Sequence, residues 1–258
     1  MPPTIILIPG AWLTPTFYQP FLRTLTSAGY PTHYAAYPSL DPSNPHTADC
    51  QTDTNAITTT TTPFIDAGQD VILFMHSYAG MPGSAAAAVT DLAKPSRSRQ
   101  GKKGGILGLV FLAGFLVPEG VSCTGAQGGN LPNWILLDQP APDLNVPDDV
   151  INTFAGDVDP HLVAGLEENV KPHSTLAFRS AQPHPAWADE AFAGRLAFIV
   201  TTEDKAISKE AQYGMMAATG KEYIVKEMKC SHCSPFIDRV DETIYLLQEI
   251  QTIFKHAE

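Results

Sequence analysis

Short apolar runs without polar alternation recur along the chain, separated by longer stretches with the spacing of half-buried helices. Runs at 4–8, 71–75, 107–113 and 196–201 are predicted to be strands, with a weaker one at 222–226. Strands that lack alternation are covered on both faces, as in a parallel sheet. Helices are predicted at 17–28, 48–67, 84–92, 209–218 and 238–256. Strand and helix alternate, so the expected fold class is α/β, a doubly wound and mostly parallel sheet. Five consecutive threonines at 58–62 lower helix propensity and read as an exposed stretch without chemistry.

Two segments break the rhythm. Residues 94–105 carry five of the sixteen basic residues beside glycine and proline, and read as a solvated surface loop. Residues 118–193 are proline-rich, with helical pieces at 148–154 and 160–170 and no core strand. An insertion between sheet strands that carries its own helices is expected to cap a site. The expected organisation is therefore a core of residues 1–117 and 194–258 with a helical cap at 118–193.

Composition narrows the function. Hydrophobic residues make up 44% and charged residues 17% of 258, so the chain can bury a sizeable core. A formal charge of −11 disfavours nucleic acid as a partner. The longest apolar run, 106–117, is short of the roughly 20 residues that span a bilayer. The first residues lack a positively charged leader, so a cytoplasmic location without membrane attachment is expected. Four cysteines make no disulfide scaffold, and Cys230 and Cys233 lack the second ligand pair of a zinc site. Free thiols are expected there.

The chemistry centres on Met75-His76-Ser77-Tyr78-Ala79-Gly80, directly after a strand and before a helix of small residues. A serine at such a turn describes a nucleophile elbow, whose strained backbone needs small neighbours. His76 beside it should point away from the nucleophile. A serine nucleophile needs a base, and the base an orienting acid, in the chain order serine, acid, histidine. Asp204, just past the strand at 196–201, is the better acid candidate, with Glu203 as fallback. His232, after the last strand, is the candidate base. Oxyanion donors are expected from the backbone of Tyr78 and from the loop after the first strand, at Ala11 or Trp12. Of the other histidines, His33, His46 and His256 lack context, whereas His161, His173 and His184 fall in the cap, where they could touch substrate.

These residues resemble the α/β-hydrolase superfamily, and within it the small methylesterase and hydroxynitrile-lyase-like branch. Ile6-Leu7-Ile8-Pro9-Gly10-Ala11-Trp12 is similar to the family's opening strand and oxyanion loop. Phe74 through Gly80 resembles the elbow of fungal members, in which methionine is familiar at the place of Met75. Thr202-Glu203-Asp204-Lys205 resembles the acid loop and assigns the acid to Asp204, while His232 falls at the family's catalytic histidine. The lyases carry lysine directly after that histidine; here the position is Cys233, which disfavours cyanohydrin cleavage.

The expected activity is serine hydrolysis of an ester, thioester or related acyl bond, without metal or organic cofactor. Trp12, Trp134 and Trp187, with Phe154 and Phe178, imply a small apolar substrate, aromatic or polyketide-like. Two alternatives use the same fold. One is carbon–carbon cleavage or Claisen-type acyl transfer by the same triad. The other is ligand binding without catalysis. Nothing in the pattern sets the oligomeric state.

Overall fold

A computed structural model describes residues 2–88, 92–163 and 165–257. In chain order the first half comprises β1 (Thr4–Ile8), α1 (Pro15–Ser27), β2 (Thr32–Tyr34), α2 (Cys50–Asp66), β3 (Asp70–His76), α3 (Gly80–Ala88), α4 (Lys94–Arg99) and β4 (Gly105–Leu112). Next come α5 (Cys123–Ala126), β5 (Ile135–Leu137), β6 (Leu144–Pro147), α6 (Val150–Ala155), β7 (His173–Ser174) and α7 (Thr175–Arg179). The chain finishes with β8 (Leu196–Thr201), α8 (Lys209–Thr219), β9 (Ile224–Met228), α9 (Ser234–Ile237) and α10 (Val240–His256).

Six strands form one sheet in the order β2-β1-β3-β4-β8-β9, every pair parallel. The central strands β1, β4 and β8 are buried at every position, which explains their unbroken apolar runs. The outer strand β9 alternates buried or half-buried with exposed residues, hence its weak signal in the sequence. Because the sheet is parallel, the carboxyl ends of β1, β3, β8 and β9 share one edge, where open α/β sheets bind ligands.

Several local outcomes differ from what the sequence pattern predicts. The three-residue strand β2 has no apolar run to announce it. The threonine stretch is helical and mostly packed instead of exposed: Thr61 is buried, only Thr59 is fully exposed, and Thr58, Thr59 and Thr62 each turn their hydroxyl back to the carbonyl four residues earlier. Its helix starts at a capping box in which Asp49 and Thr52 satisfy one another's backbone N–H. Residues 94–99 form a helix instead of a free loop. Its cations have partners, Lys94 with Asp70 at 2.7 Å and Arg97 with Asp66 at 3.3 Å. The end of the helix expected at 84–92 includes residues 89–91, which lie outside the described residues.

The segment 118–193 departs from the helical expectation most clearly. It contains an antiparallel sheet, β5-β6-β7, with the short helices α5, α6 and α7 around it. Of the expected helix at 160–170, residues 160–163 and 165–166 lie in turns or a bend and Glu167–Asn169 form a 3₁₀ turn, while residue 164 lies outside the described residues. The segment lies over the carboxyl edge of the main sheet and is fastened there by backbone bonds. Lys171 N donates to Trp12 O (2.8 Å), Asp41 N to Pro172 O (2.8 Å) and Ser174 N to Ser39 O (2.9 Å).

Candidate active site

Ser77 follows the last residue of β3 and holds a left-handed backbone, φ 56°, at the head of a 3₁₀ turn that runs into α3. A non-glycine residue there is strained by about 1 kcal/mol or more and persists only where the surroundings impose it. The surroundings are tight. A Cβ on Gly80 would lie 2.3 Å from Phe115 O, and one on Gly83 would lie 2.7 Å from Met75 Sδ. Gly83 thus makes the room that Met75 occupies. Phe115 N donates to Ser77 O at 3.0 Å, pinning the turn to the loop after β4.

His232 sits in the turn after β9, and Asp204 in the turn after β8. His232 Nδ1 lies 2.7 Å from Asp204 Oδ2, with both residues buried. Asp204 also accepts from Thr201 Oγ1 (2.7 Å) and from the N–H groups of Ala206 and Ile207 (2.8 Å each), so its position is fixed by four donors. The fallback acid Glu203 is exposed and makes no part of this arrangement.

Ser77 and His232 line one cavity with Ala11, Trp12, Tyr78 and Trp134, although Ser77 and His232 form no hydrogen bond with each other. Phe154 and Phe178 complete its apolar wall. Free room amounts to about 20 Å³, enough for roughly one water. Trp12 anchors the wall, its indole N–H reaching Asn145 Oδ1 at 2.9 Å.

Residues 5–244 match the alpha/beta hydrolase family. The chain belongs to that family. Among curated relatives, the alpha/beta hydrolase nvfD of Aspergillus novofumigatus is 31% identical over 136 residues, covering 52% of this chain and 51% of nvfD. The chain thus spans about half the length of nvfD. The probable hydrolase R7 of a Phoma species is 24% identical over 240 residues, covering 90% of this chain and 91% of R7. The fold is shared with a pyrethroid hydrolase from Sphingobium faniae (19% identity, 97% of each chain, TM-score 0.74). It is also shared with tomato methylketone synthase I (17% identity, 98% and 99% coverage, TM-score 0.74).

Within this member of the alpha/beta hydrolase family, several residues expected at the site lie outside the cavity. Trp187 is a correction to the substrate-binding set: it lines a separate depression with Gly194, Leu196 and Lys221, at the opposite end of β8 from Asp204. Nothing in its spacing distinguished it from Trp134. His184 is half-exposed between Glu119 and Asp189, at 2.8 Å from each, and their hydrogen bonds raise its pKa. His161 is exposed. His173 is buried behind the cavity wall, stacked on Phe178 with ring centroids 4.9 Å apart. Cys233, buried next to His232, has its thiol pKa pushed up by burial and by Asp204, so the residue after the histidine is a neutral thiol.

Three groups support the site; Tyr18 and Asp157 had no sequence signal, and the third is His76, whose ring nitrogens face Tyr18 and His232 O and not Ser77. Tyr18 Oη accepts from Gly10 N (2.8 Å) and lies 2.7 Å from His76 Nδ1, while His76 Nε2 is 3.3 Å from His232 O. Burial first, then the nearby His232, hold the His76 pKa well below its usual value, so the ring is neutral. A neutral ring that takes the Tyr18 hydroxyl at Nδ1 donates from Nε2 to His232 O. One continuous relay thereby joins the loop after β1 to the histidine turn. Asp157 fastens that turn from outside, accepting from Ser231 N (3.1 Å) and Ser234 Oγ (2.6 Å). Burial opposes its charge, but hydrogen bonds from Ser231 and Ser234 outweigh it and lower the pKa.

Tyr18→Phe is expected to cost about 2 kcal/mol of stability, because the buried Gly10 N–H and His76 Nδ1 both lose their partner. A lowered urea midpoint with an unchanged slope checks this.

Proposed function

We propose that this alpha/beta hydrolase is a serine hydrolase that cleaves an ester, thioester or related acyl bond of a small apolar substrate. The observation that carries the reading is the convergence on one cavity of Ser77, strained at φ 56°, and His232, held by buried Asp204. The Asp204 bond fixes the proton on Nδ1 and leaves Nε2 as the free base. Contacts between nucleophile and base are often long in an empty site and shorten once substrate is bound.

In this mechanism Ser77 Oγ attacks the carbonyl carbon as His232 Nε2 takes its proton. The developing oxyanion accepts from the N–H of Tyr78 and of Ala11. Gly10 N–H is already engaged by Tyr18, which favours Ala11 as the first free donor of that loop. Each donor is worth about 3 kcal/mol of barrier. Collapse expels the leaving group, which takes the proton from His232. Water, deprotonated by the same nitrogen, then hydrolyses the acyl-enzyme and restores Ser77. Trp12, Trp134, Phe154 and Phe178, with Phe115, Leu131, Ile135 and Ile207 beside them, support an apolar substrate, since they bring few hydrogen-bonding groups to the wall.

The test is covalent labelling by a fluorophosphonate. The expected result is a single adduct on the peptide containing Ser77, lost when the protein is first unfolded. Labelling of another serine, or none at all, would overturn the assignment.

A further inference from the structure

The cavity at Ser77 is too small to enclose a substrate, so the remainder of the ligand must lie beyond it. An open groove of about 520 Å³ adjoins it and shares four lining residues with it: Phe115, Gln127, Ala206 and Ile207. One wall of the groove is the face of α8 that presents Ala211, Gly214, Met215 and Ala218, spaced by three or four residues as one side of a helix. The facing wall is the loop after β4, including Leu116, Pro118 and Val121. Apart from Gln127 and Ser208 its lining is apolar or glycine, on the surface of a protein of net charge −11.

Shared residues place the two spaces side by side, with Phe115, Gln127, Ala206 and Ile207 at their boundary. The threshold is also tied to the chemistry, because Ala206 and Ile207 donate their N–H groups to Asp204 Oδ1. By contrast, the other large depression near His232 is lined by Asp157, Glu203, Lys205, Lys229 and Arg239 and shares no residue with the Ser77 cavity. Charged walls of both signs would repay no apolar group.

We propose that the groove between α8 and the loop after β4 is a subsite for an unbranched apolar chain of the substrate, whose scissile carbonyl sits at Ser77. This deepens the hydrolase reading and rests on it for the position of the carbonyl. The chain could be carried on the acyl side or the alcohol side, and the two are separated by substrate series.

Gly214 provides the test. Gly214 lines the groove and a Cβ there meets nothing within 4 Å, so the position has open space for a larger side chain beside the groove. Tryptophan is also a better helix former than glycine, so Gly214→Trp should unfold no more readily than the unsubstituted protein. Each fully buried methylene is worth about fourfold in kcat/KM. In a groove open along one side, p-nitrophenyl octanoate should exceed the butanoate roughly tenfold if the acyl side carries the chain. Octyl acetate should exceed butyl acetate by a similar factor if the alcohol side does. Gly214→Trp should bring the responsive ratio to about one. A second readout does not need catalysis: 1-N-phenylnaphthylamine fluorescence on Ser77→Ala protein, displaced by octan-1-ol but not by ethanol, and lost when Gly214→Trp is added. No chain-length dependence in either series, a ratio unmoved by Gly214→Trp, or equal probe binding by both proteins would overturn the subsite. If no ester is cleaved while probe binding behaves as expected, the subsite stands and the hydrolase reading falls.

Discussion

Ser77→Ala should lower kcat for an activated short-chain ester by about 10⁶-fold, with the fold intact. The magnitude follows from the behaviour of triads as units: removing the nucleophile alone costs about as much as removing all three members. What remains is about 10³-fold over water, from oxyanion donors and binding. Alanine keeps a Cβ at φ 56°, so the substitution leaves the backbone strain in place. Ser77→Gly, which accepts that φ freely, should lose the same activity yet be about 1 kcal/mol more stable than Ser77→Ala. Steady-state kinetics and urea denaturation of both variants check the pair. Ser77→Ala turnover at the wild-type rate would exclude Ser77 as nucleophile, and equal stability of the two would exclude stored strain.

The second large effect lies in acid stability and originates behind the cavity wall. Asp53, fully buried on α2, accepts from Tyr78 Oη at 2.7 Å and from Ser39 N at 2.9 Å. Its Oδ2 lies 2.5 Å from Ser39 Oγ, which lies 3.0 Å from His173 Nε2; His173 Nδ1 in turn faces Ser174 O at 3.1 Å. Burial pushes the Asp53 pKa up to about 6, only partly offset by the hydrogen bonds that Ser39 and Tyr78 donate to it. Burial drives His173 down to about 3 against a small opposing bond to Ser174 O, so it stays neutral in the folded protein.

The two groups act with opposite sign. As pH falls below 6.5 the unfolded chain protonates His173 and the folded one does not, so stability is lost until about pH 3, in total roughly 5 kcal/mol. Asp53 is protonated first in the folded state. Its burial penalty, roughly 3 kcal/mol above pH 6, is therefore recovered as pH falls from 6 to 3.8. Between pH 6 and 4 the two slopes largely cancel. His173→Gln removes only the destabilising one, so the variant should gain about 3 kcal/mol relative to the unsubstituted protein between pH 6.5 and 4. Urea midpoints at pH 7, 5.5 and 4 give the comparison. A stability difference independent of pH would show that His173 titrates alike in both states.

That network also bears on how much a sequence discloses. Asp53 sits at the fourth position of a helix rich in threonine and reads as an ordinary first-turn acid; only the approach of Ser39, Tyr78 and His173 from three other elements makes it a buried hub. Trp134 and Trp187 look alike as isolated aromatics in a proline-rich segment, yet one faces Ser77 and the other lies at the opposite end of β8. The small sheet β5-β6-β7 left no mark in the pattern, because strands of two to four residues carry too few positions for a period to emerge.

The succession of core strands, the serine turn after β3 and the candidate acid and histidine after later strands could all be read from local pattern. Fully buried strands must be continuously apolar, and a parallel sheet obliges residues just past its strands to share one edge. Local pattern was therefore enough for the α/β architecture and for singling out Ser77, Asp204 and His232. Three-dimensional packing was needed to fasten the histidine turn to Asp157, to tie the β1 loop to that turn through Tyr18 and His76, and to open a groove along α8. Those outcomes depend on which side chains from distant elements come within a few ångströms, and such distances leave no periodic trace along the chain.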